Sequence, residues 1–170
     1  MRVYDCLVRT RESLSTLIAE LEGDAIEIQR VQRHNTRAWD RIVAGANDPV
    51  DWGALGFTIQ TLYGILENYF LRVSHCFENS LPSDRWHQAL VEKMTLNIPD
   101  LRPALLRDSE GRRDVMEMVR FRHRLRSLYG EDLDPRKTRE IQQILPRFVA
   151  RFPELHTSFV DKRNAIADAI

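Results

Sequence analysis

The chain has 170 residues, of which 43% are apolar and 29% carry a charge, and its formal net charge at pH 7 is zero. These values are typical of a soluble globular protein with one hydrophobic core, so we expect a single domain over residues 1–170. A neutral chain is not expected to coat nucleic acid, although a local basic patch on it would still allow RNA binding.

Nothing in the residue pattern indicates a membrane segment, a secretion signal or a metal site. No apolar run approaches the roughly 20 residues that cross a bilayer, and the N-terminal MRVYDCLVRTRESL lacks the apolar core of a signal peptide. We therefore expect a cytoplasmic protein. Cys6 and Cys76 lie outside any CxxC pattern and the histidines outside any HExxH pattern, so we expect free thiols, no metal and no cofactor.

Two long helices are predicted for the first half of the chain. Residues Arg11–Val43 contain no proline and only one glycine, and their apolar residues recur at helical spacing. The segment AGANDP at 44–49 should end this helix. A second helix is predicted over 51–78, and its apolar residues are too dense for a single stripe. It should therefore lie at the centre of the bundle or at a subunit interface.

Three further helices are predicted. Ser83 should cap a short helix that runs to about Thr95, in which we interpret Trp86 and His87 as packing and capping residues. After an irregular connection, Ser109 should cap a fourth helix that ends near Tyr129.

The last predicted helix starts at Asp134-Pro135, an N-cap followed by a proline in the first helical position. It runs toward Ala169, and Pro146 and Pro153 are expected to kink or split it. No segment alternates between apolar and polar residues over a strand's length, so we expect no sheet. The fold class predicted is all-α, an up-and-down bundle of four to five helices.

The most distinctive local feature is a concentration of positive charge on the fourth helix. Between Arg112 and Arg126 there are six arginines and His123, against Asp114 and Glu117 alone. Steps of 3, 4, 3 and 4 place five residues on one stripe of this helix, namely Val115, Met118, Arg122, Leu125 and Tyr129. A guanidinium keeps its proton and is costly to bury unpaired. Arg122 must therefore meet an acidic side chain, a subunit boundary or a phosphate.

Each candidate residue on this helix has a structural and a functional interpretation. Arg122 could pair with an acid on a neighbouring helix, or could be aimed at a phosphate. His123 could be a surface histidine, or a general acid or base if a partner is in reach. Tyr129 could close the seam, or expose a hydroxyl that accepts a modification. Arg120, Arg124 and Arg126 could be a solvated face or a surface that contacts RNA phosphates.

Residues 122–129, RHRLRSLY, resemble the signature of the HEPN superfamily, and of HepT-like proteins in particular. In that signature an arginine and a polar residue precede a histidine and then a tyrosine (R-polar-xxx-H-x-Y). The flanking FRH and YGEDLDP and the upstream LYGILENYFLRVSHCFENSLPSDRWHQALVEKM (62–94) extend the similarity over roughly residues 50–137. On this resemblance, residues 1–170 form one HepT-like helical domain.

The resemblance implies a homodimer in which the motifs of two protomers form a composite, metal-independent RNA-cleaving cleft. Arg122 matches the arginine that stabilises the scissile phosphate, His123 the polar residue, and Tyr129 the tyrosine. Many members are toxins paired with a nucleotidyltransferase-like antitoxin, which in some pairs adenylylates that tyrosine. The position of the motif histidine, which supports attack by the ribose 2′-hydroxyl, holds Ser127.

Ser127 leaves two hypotheses, because a serine cannot shuttle a proton near neutral pH as an imidazole does. In the first, the chain is a ribonuclease in which Arg122 acts and His123, one helical turn before Ser127, could replace the missing histidine. In the second, it is a catalytically silent module that binds RNA, a nucleotide or a nucleotidyltransferase partner. The first requires an open basic cleft, whereas the second allows Arg122 to be buried or paired with a carboxylate.

Overall fold

Five helices make up most of the described chain. The computed structural model describes residues 11–77, 86–99, 101–127 and 132–168. The helices are α1 (Arg11–Val43), α2 (Pro49–Phe77), α3 (Trp86–Met94), α4 (Ser109–Ser127) and α5 (Pro135–Asp168). Within these ranges there is no strand, and one isolated bridge joins Ile98 to Arg102. The predicted all-α bundle is therefore confirmed.

The ends of the helices follow from capping residues and turns close to them in sequence. α1 has the predicted bounds, and Gly45, with a φ of 103°, lies in the loop after it. α2 begins two residues earlier than predicted, because the carboxylate of Asp48 accepts a hydrogen bond from the Val50 N–H at 2.8 Å and Pro49 takes the first helical position. The predicted cap Ser83 lies outside the described residues.

The cap of α4 differs from the prediction by one residue. The Asp108 carboxylate, not the Ser109 hydroxyl, accepts a hydrogen bond from the Gly111 N–H at 2.7 Å, and Ser109 is the first residue of the helix. This bond, followed by the ion pair with Arg151, holds the pKa of Asp108 below its ordinary value despite partial burial. A charged carboxylate at the start of α4 also suits the positive end of the helix dipole.

α5 begins as predicted and ends at Asp168, close to the predicted end near Ala169. Asp134 accepts a hydrogen bond from the Arg136 N–H at 2.9 Å, which confirms its capping role. Of the two effects expected of Pro146 and Pro153, a kink or a split, the split does not occur, because both prolines lie inside a helix that runs unbroken from Pro135 to Asp168. The physical reason is packing: a continuous apolar face of α5 is buried in the core and includes Ile141, Leu145, Phe148, Phe152 and Phe159. Its burial offsets the backbone hydrogen bonds that the prolines remove.

α2 lies at the centre of the bundle and packs against each of the other four helices. Its buried residues follow its whole length, from Trp52 to Phe77. This confirms the prediction that so apolar a helix lies at the centre of the bundle, the first of the two places expected for it. No described helix combines the length and the apolar content that would let it cross a membrane.

Three buried polar side chains connect helices or hold them in place. Asn35 of α1 and Gln142 of α5 exchange two amide hydrogen bonds, of 3.0 and 2.8 Å, and Asn35 also donates to the Thr58 hydroxyl of α2 at 3.0 Å. Arg102, fully buried, donates to the carbonyls of Lys93 at 2.8 Å and Leu96 at 2.9 Å, at the C-terminal end of α3. This guanidinium binds carbonyls in the last turn of α3 and just after it, and so holds the short helix in place.

Candidate functional site

Arg122 lies among polar side chains from α2 and α3. Its Nη2 is 3.3 Å from Oε2 of Glu67, its Nη1 is 3.1 Å from Nε2 of His87, and its guanidinium carbon is 5.6 Å from the centroid of the Tyr63 ring. We call these four side chains the Arg122 cluster. Its arginine side chain is 17% exposed. The guanidinium is thus paired with an acid on a neighbouring helix, which is the structural interpretation of this residue.

Glu67 is the buried anion of the cluster, with a side chain only 8% exposed. Its Oε1 accepts hydrogen bonds from the Tyr63 hydroxyl, at 3.1 Å, and from Nδ1 of His87. Three partners therefore satisfy a carboxylate that would otherwise be very costly to bury. The carboxylate and, above all, burial raise the pKa of Tyr63, so its hydroxyl stays protonated and acts as a donor.

His87 is held on several sides. Glu67 binds its Nδ1, Trp86 stacks on its ring at 3.6 Å between centroids, and the ring of His123 approaches edge-on at 5.3 Å. Burial lowers the pKa of His87, the charges of Arg122 and His123 lower it further, and Glu67 opposes them. The ring is therefore neutral at pH 7. With the proton on Nδ1 toward Glu67, Nε2 is the acceptor that faces Arg122.

The predicted site residues divide between two sides of α4. His123 is exposed and contacts the ring of His87, and Arg126, also exposed, projects about 40° from Arg122 around the helix. On another side, Arg124 and Ser127 line a cavity of about 320 Å³ with Lys137 at the start of α5.

The remaining predicted residues do not add to the Arg122 cluster. Arg120 is exposed and forms an ion pair with Glu117, one turn earlier on α4. The Ser127 hydroxyl donates a hydrogen bond of 2.8 Å to the carbonyl of Arg124. Tyr129 lies outside the described residues. The structure thus places Arg122 and His123 both against the ring of His87, while Arg124 and Ser127 line the cavity beside α5.

Sequence reasoning missed Glu67 and treated His87 as a packing residue. A signal for Glu67 exists, because it is a lone acid on a densely apolar stretch of α2, four residues after Tyr63. Such a residue needs a cation or several donors once the helix is buried. Nothing local in the sequence pairs it with Arg122. Within the described ranges, no group of three histidine, cysteine, aspartate or glutamate side chains is arranged to hold a metal ion.

Chemically, the site combines a permanent positive charge with two imidazoles. A guanidinium binds phosphate through charge-assisted hydrogen bonds. A neutral imidazole oriented by a carboxylate can accept a proton, and a second imidazole beside it can donate one. These are the groups that cleavage of a phosphodiester requires when no metal takes part.

Comparison with known proteins identifies the family of this chain. Neither a curated protein nor a solved structure matches the chain. A family model described as HepT-like protein matches residues 54–163, which is well over half of the chain. The matched stretch begins in α2, ends in α5 and contains every residue of the Arg122 cluster. The chain therefore belongs to the HepT-like proteins of the HEPN superfamily.

Proposed function

We propose that this HepT-like protein is a cytoplasmic endoribonuclease of the toxin type, which cleaves RNA without a metal and is opposed by a nucleotidyltransferase-like antitoxin. The site would be composite, with the Arg122 clusters of two protomers facing each other in a homodimer. The strongest support is the placement of Arg122 with the imidazoles of His87 and His123. The partly exposed guanidinium gives a phosphate a place to bind beside groups that transfer protons.

In the proposed reaction, the ribose 2′-oxygen attacks the adjacent phosphorus. The 2′-hydroxyl loses its proton to a base, the O2′–P bond forms, the P–O5′ bond breaks, and the leaving 5′-oxygen takes up a proton. The products are a 2′,3′-cyclic phosphate and a 5′-hydroxyl. Arg122 would stabilise the charge that develops on the non-bridging oxygens. The exposed ring of His123 supplies an imidazole next to it.

The test is RNA cleavage by purified dimeric protein in the presence of EDTA, with wild type beside Arg122→Ala. Arg113→Ala is the matched control, because Arg113 is an exposed arginine of α4 that projects about 180° from Arg122. We expect Arg122→Ala to lose about 10²–10³-fold in rate, as for removal of one transition-state donor, and the control to keep its activity. Equal rates for wild type and Arg122→Ala would contradict the proposal.

A second candidate function is a catalytically silent module, and the ion pair between Arg122 and Glu67 favours it. A guanidinium 3.3 Å from a buried carboxylate already has a counter-charge. The protein would then bind RNA, a nucleotide or a nucleotidyltransferase partner, and Tyr129 would be the residue modified. In that case the wild-type dimer binds fluorescently labelled RNA without cleaving it. Mass spectrometry after incubation with the partner and ATP would show adenylylation that Tyr129→Phe abolishes.

A further inference from the structure

We propose that His87, held by Glu67, is a catalytic residue of this site and supplies the imidazole that the motif lacks at Ser127. The inference rests on the proposed ribonuclease function and assigns one of its proton-transfer steps to a residue of α3. His87 would accept the proton of the ribose 2′-hydroxyl. The exposed His123 would return a proton to the leaving 5′-oxygen.

Ser127 itself is badly placed for this step. It lies five residues after Arg122, which is about 140° around α4 in projection. Its side chain lines the cavity shared with Arg124 and Lys137, and its hydroxyl donates to the Arg124 carbonyl. A hydroxyl also takes no part in proton exchange as a base near neutral pH. The imidazole that accepts the proton must therefore come from a position other than 127.

His87 meets the geometric requirement. Its Nε2 is 3.1 Å from Nη1 of Arg122, so a phosphate bound by that guanidinium lies within a short distance of Nε2. Its side chain is 11% exposed. When Arg122 turns toward a phosphate, it gives up its contact with Nε2 and leaves the lone pair of that nitrogen free. The hydroxyl next to the bound phosphate is then the nearest proton donor.

Glu67 prepares His87 for this role in the way that the third member of a catalytic triad does. By accepting a hydrogen bond from Nδ1, it fixes the tautomer whose Nε2 can take a proton. Once His87 is protonated, the same carboxylate stabilises the imidazolium. Glu67 keeps its bond from Tyr63 throughout, so the departure of Arg122 does not leave the carboxylate unpaired.

The protonation state of His87 suits a base. The groups that contact its ring are Glu67 of α2, Trp86 of α3, and Arg122 and His123 of α4. Burial, above all, and the charges of Arg122 and His123 keep its pKa below the ordinary value of 6.5, so the ring is already unprotonated at pH 7. The acidic limb of the rate profile should therefore lie below pH 6.5.

The experiment compares single-turnover RNA cleavage by wild type, His87→Gln, Glu67→Gln and the matched control His75→Gln, an exposed histidine of α2. We expect His87→Gln to lose about 10²–10⁴-fold in rate, as for loss of a general base, with RNA affinity within about twofold of wild type. His75→Gln should behave as wild type. Glu67→Gln should move the acidic limb to lower pH, because the carboxylate raises the pKa of His87 and a carboxamide does not.

The outcomes separate this inference from the proposed function. If wild-type dimer cleaves no RNA, the ribonuclease proposal fails and His87 has no catalytic role. If wild type cleaves and a folded His87→Gln cleaves equally well, only the role of His87 is overturned. If His87→Gln does not fold, the role of His87 is tested by comparing the pH dependence of the cleavage rate in wild type and Glu67→Gln. An acidic limb that does not move in Glu67→Gln would refute the role of His87.

Discussion

Glu67 is a carboxylate whose three partners come from three helices. Tyr63 lies one turn before it on α2, His87 is on α3 and Arg122 is on α4. A buried charge with several partners keeps some of them when one moves away, so the free energy lost by a rearrangement is smaller than for a single ion pair. This property would let Arg122, the structural partner of Glu67, also bind a phosphate, as the proposed reaction requires.

A second half-buried histidine gives a prediction about stability. The hydroxyl of Tyr69 and Nδ1 of His156 are 3.0 Å apart, and burial lowers the pKa of His156 below 6.5. The unfolded chain therefore binds more protons than the folded protein as pH falls below this value, so the free energy of unfolding decreases there. Burial lowers the pKa of His87 too, so it acts in the same direction.

We therefore expect the urea midpoint of wild type to fall between pH 7 and pH 5, and His156→Gln to fall less steeply. The measurement is urea unfolding at several pH values, with the exposed His75→Gln as control, which should keep the slope of wild type. A slope in His156→Gln as steep as that of wild type would show that folding does not lower the pKa of His156.

At the scale of single residues, the sequence predicts that a buried charge requires a partner, but it does not predict which residue that partner is. Helical spacing placed Arg122 in an apolar seam, and the cost of burying a guanidinium required an acid, a boundary or a phosphate. The acid is Glu67, on a different helix and far away in the chain. Periodicity describes one helix at a time, whereas this pair depends on how α2 and α4 are placed against each other.

Among the helices, the start of α4 offers a clean test of a cap. Asp108 accepts the Gly111 N–H and contacts Arg151, while the neighbouring Ser109 is exposed. We expect Asp108→Ala to lower the free energy of unfolding by about 1 kcal/mol and Ser109→Ala by less than about 0.5 kcal/mol. Urea unfolding at pH 7 measures both. A larger loss of unfolding free energy for Ser109→Ala than for Asp108→Ala would show that Ser109 is the N-cap, as the sequence predicted.

Helix ends were predictable where the signal is local. Asp134 followed by Pro135 identified the start of α5, and the glycine and proline after Val43 identified the end of α1. The continuity of α5 was not predictable, because a proline has a known local cost but the compensating burial of Phe148, Phe152 and their neighbours is a tertiary effect. Tertiary packing decided the outcome there.

For the whole molecule, the net charge of zero limits how strongly RNA can be held by charge alone. Of the predicted basic residues, Arg122 and Arg126 lie on the side of the Arg122 cluster, while Arg124 lines another cavity and Arg120 pairs with Glu117. Few phosphates are then neutralised. The binding constant for single-stranded RNA should depend weakly on salt, since each contact contributes about 0.7 to the slope of log K against log[salt].

We expect Arg126→Ala to reduce that slope by about 0.7 and Arg120→Ala to leave it unchanged. Fluorescence anisotropy of a labelled single-stranded RNA, titrated at several salt concentrations, measures the slope. If both variants reduced the salt slope equally, RNA would contact Arg120 as well as Arg126. That result would contradict the expectation that RNA binds only on the side of α4 that carries the Arg122 cluster.

The two amide bonds between Asn35 and Gln142 have a consequence for the uniqueness of the fold. If α5 slid by one turn along α1, the two amides would no longer face each other, and each amide group left unsatisfied in the core would cost about 1–3 kcal/mol. The aligned pair adds little net stability, yet every misaligned bundle is penalised. Replacing both residues with leucine would therefore leave a stable protein that has lost its preference for one alignment of its two longest helices.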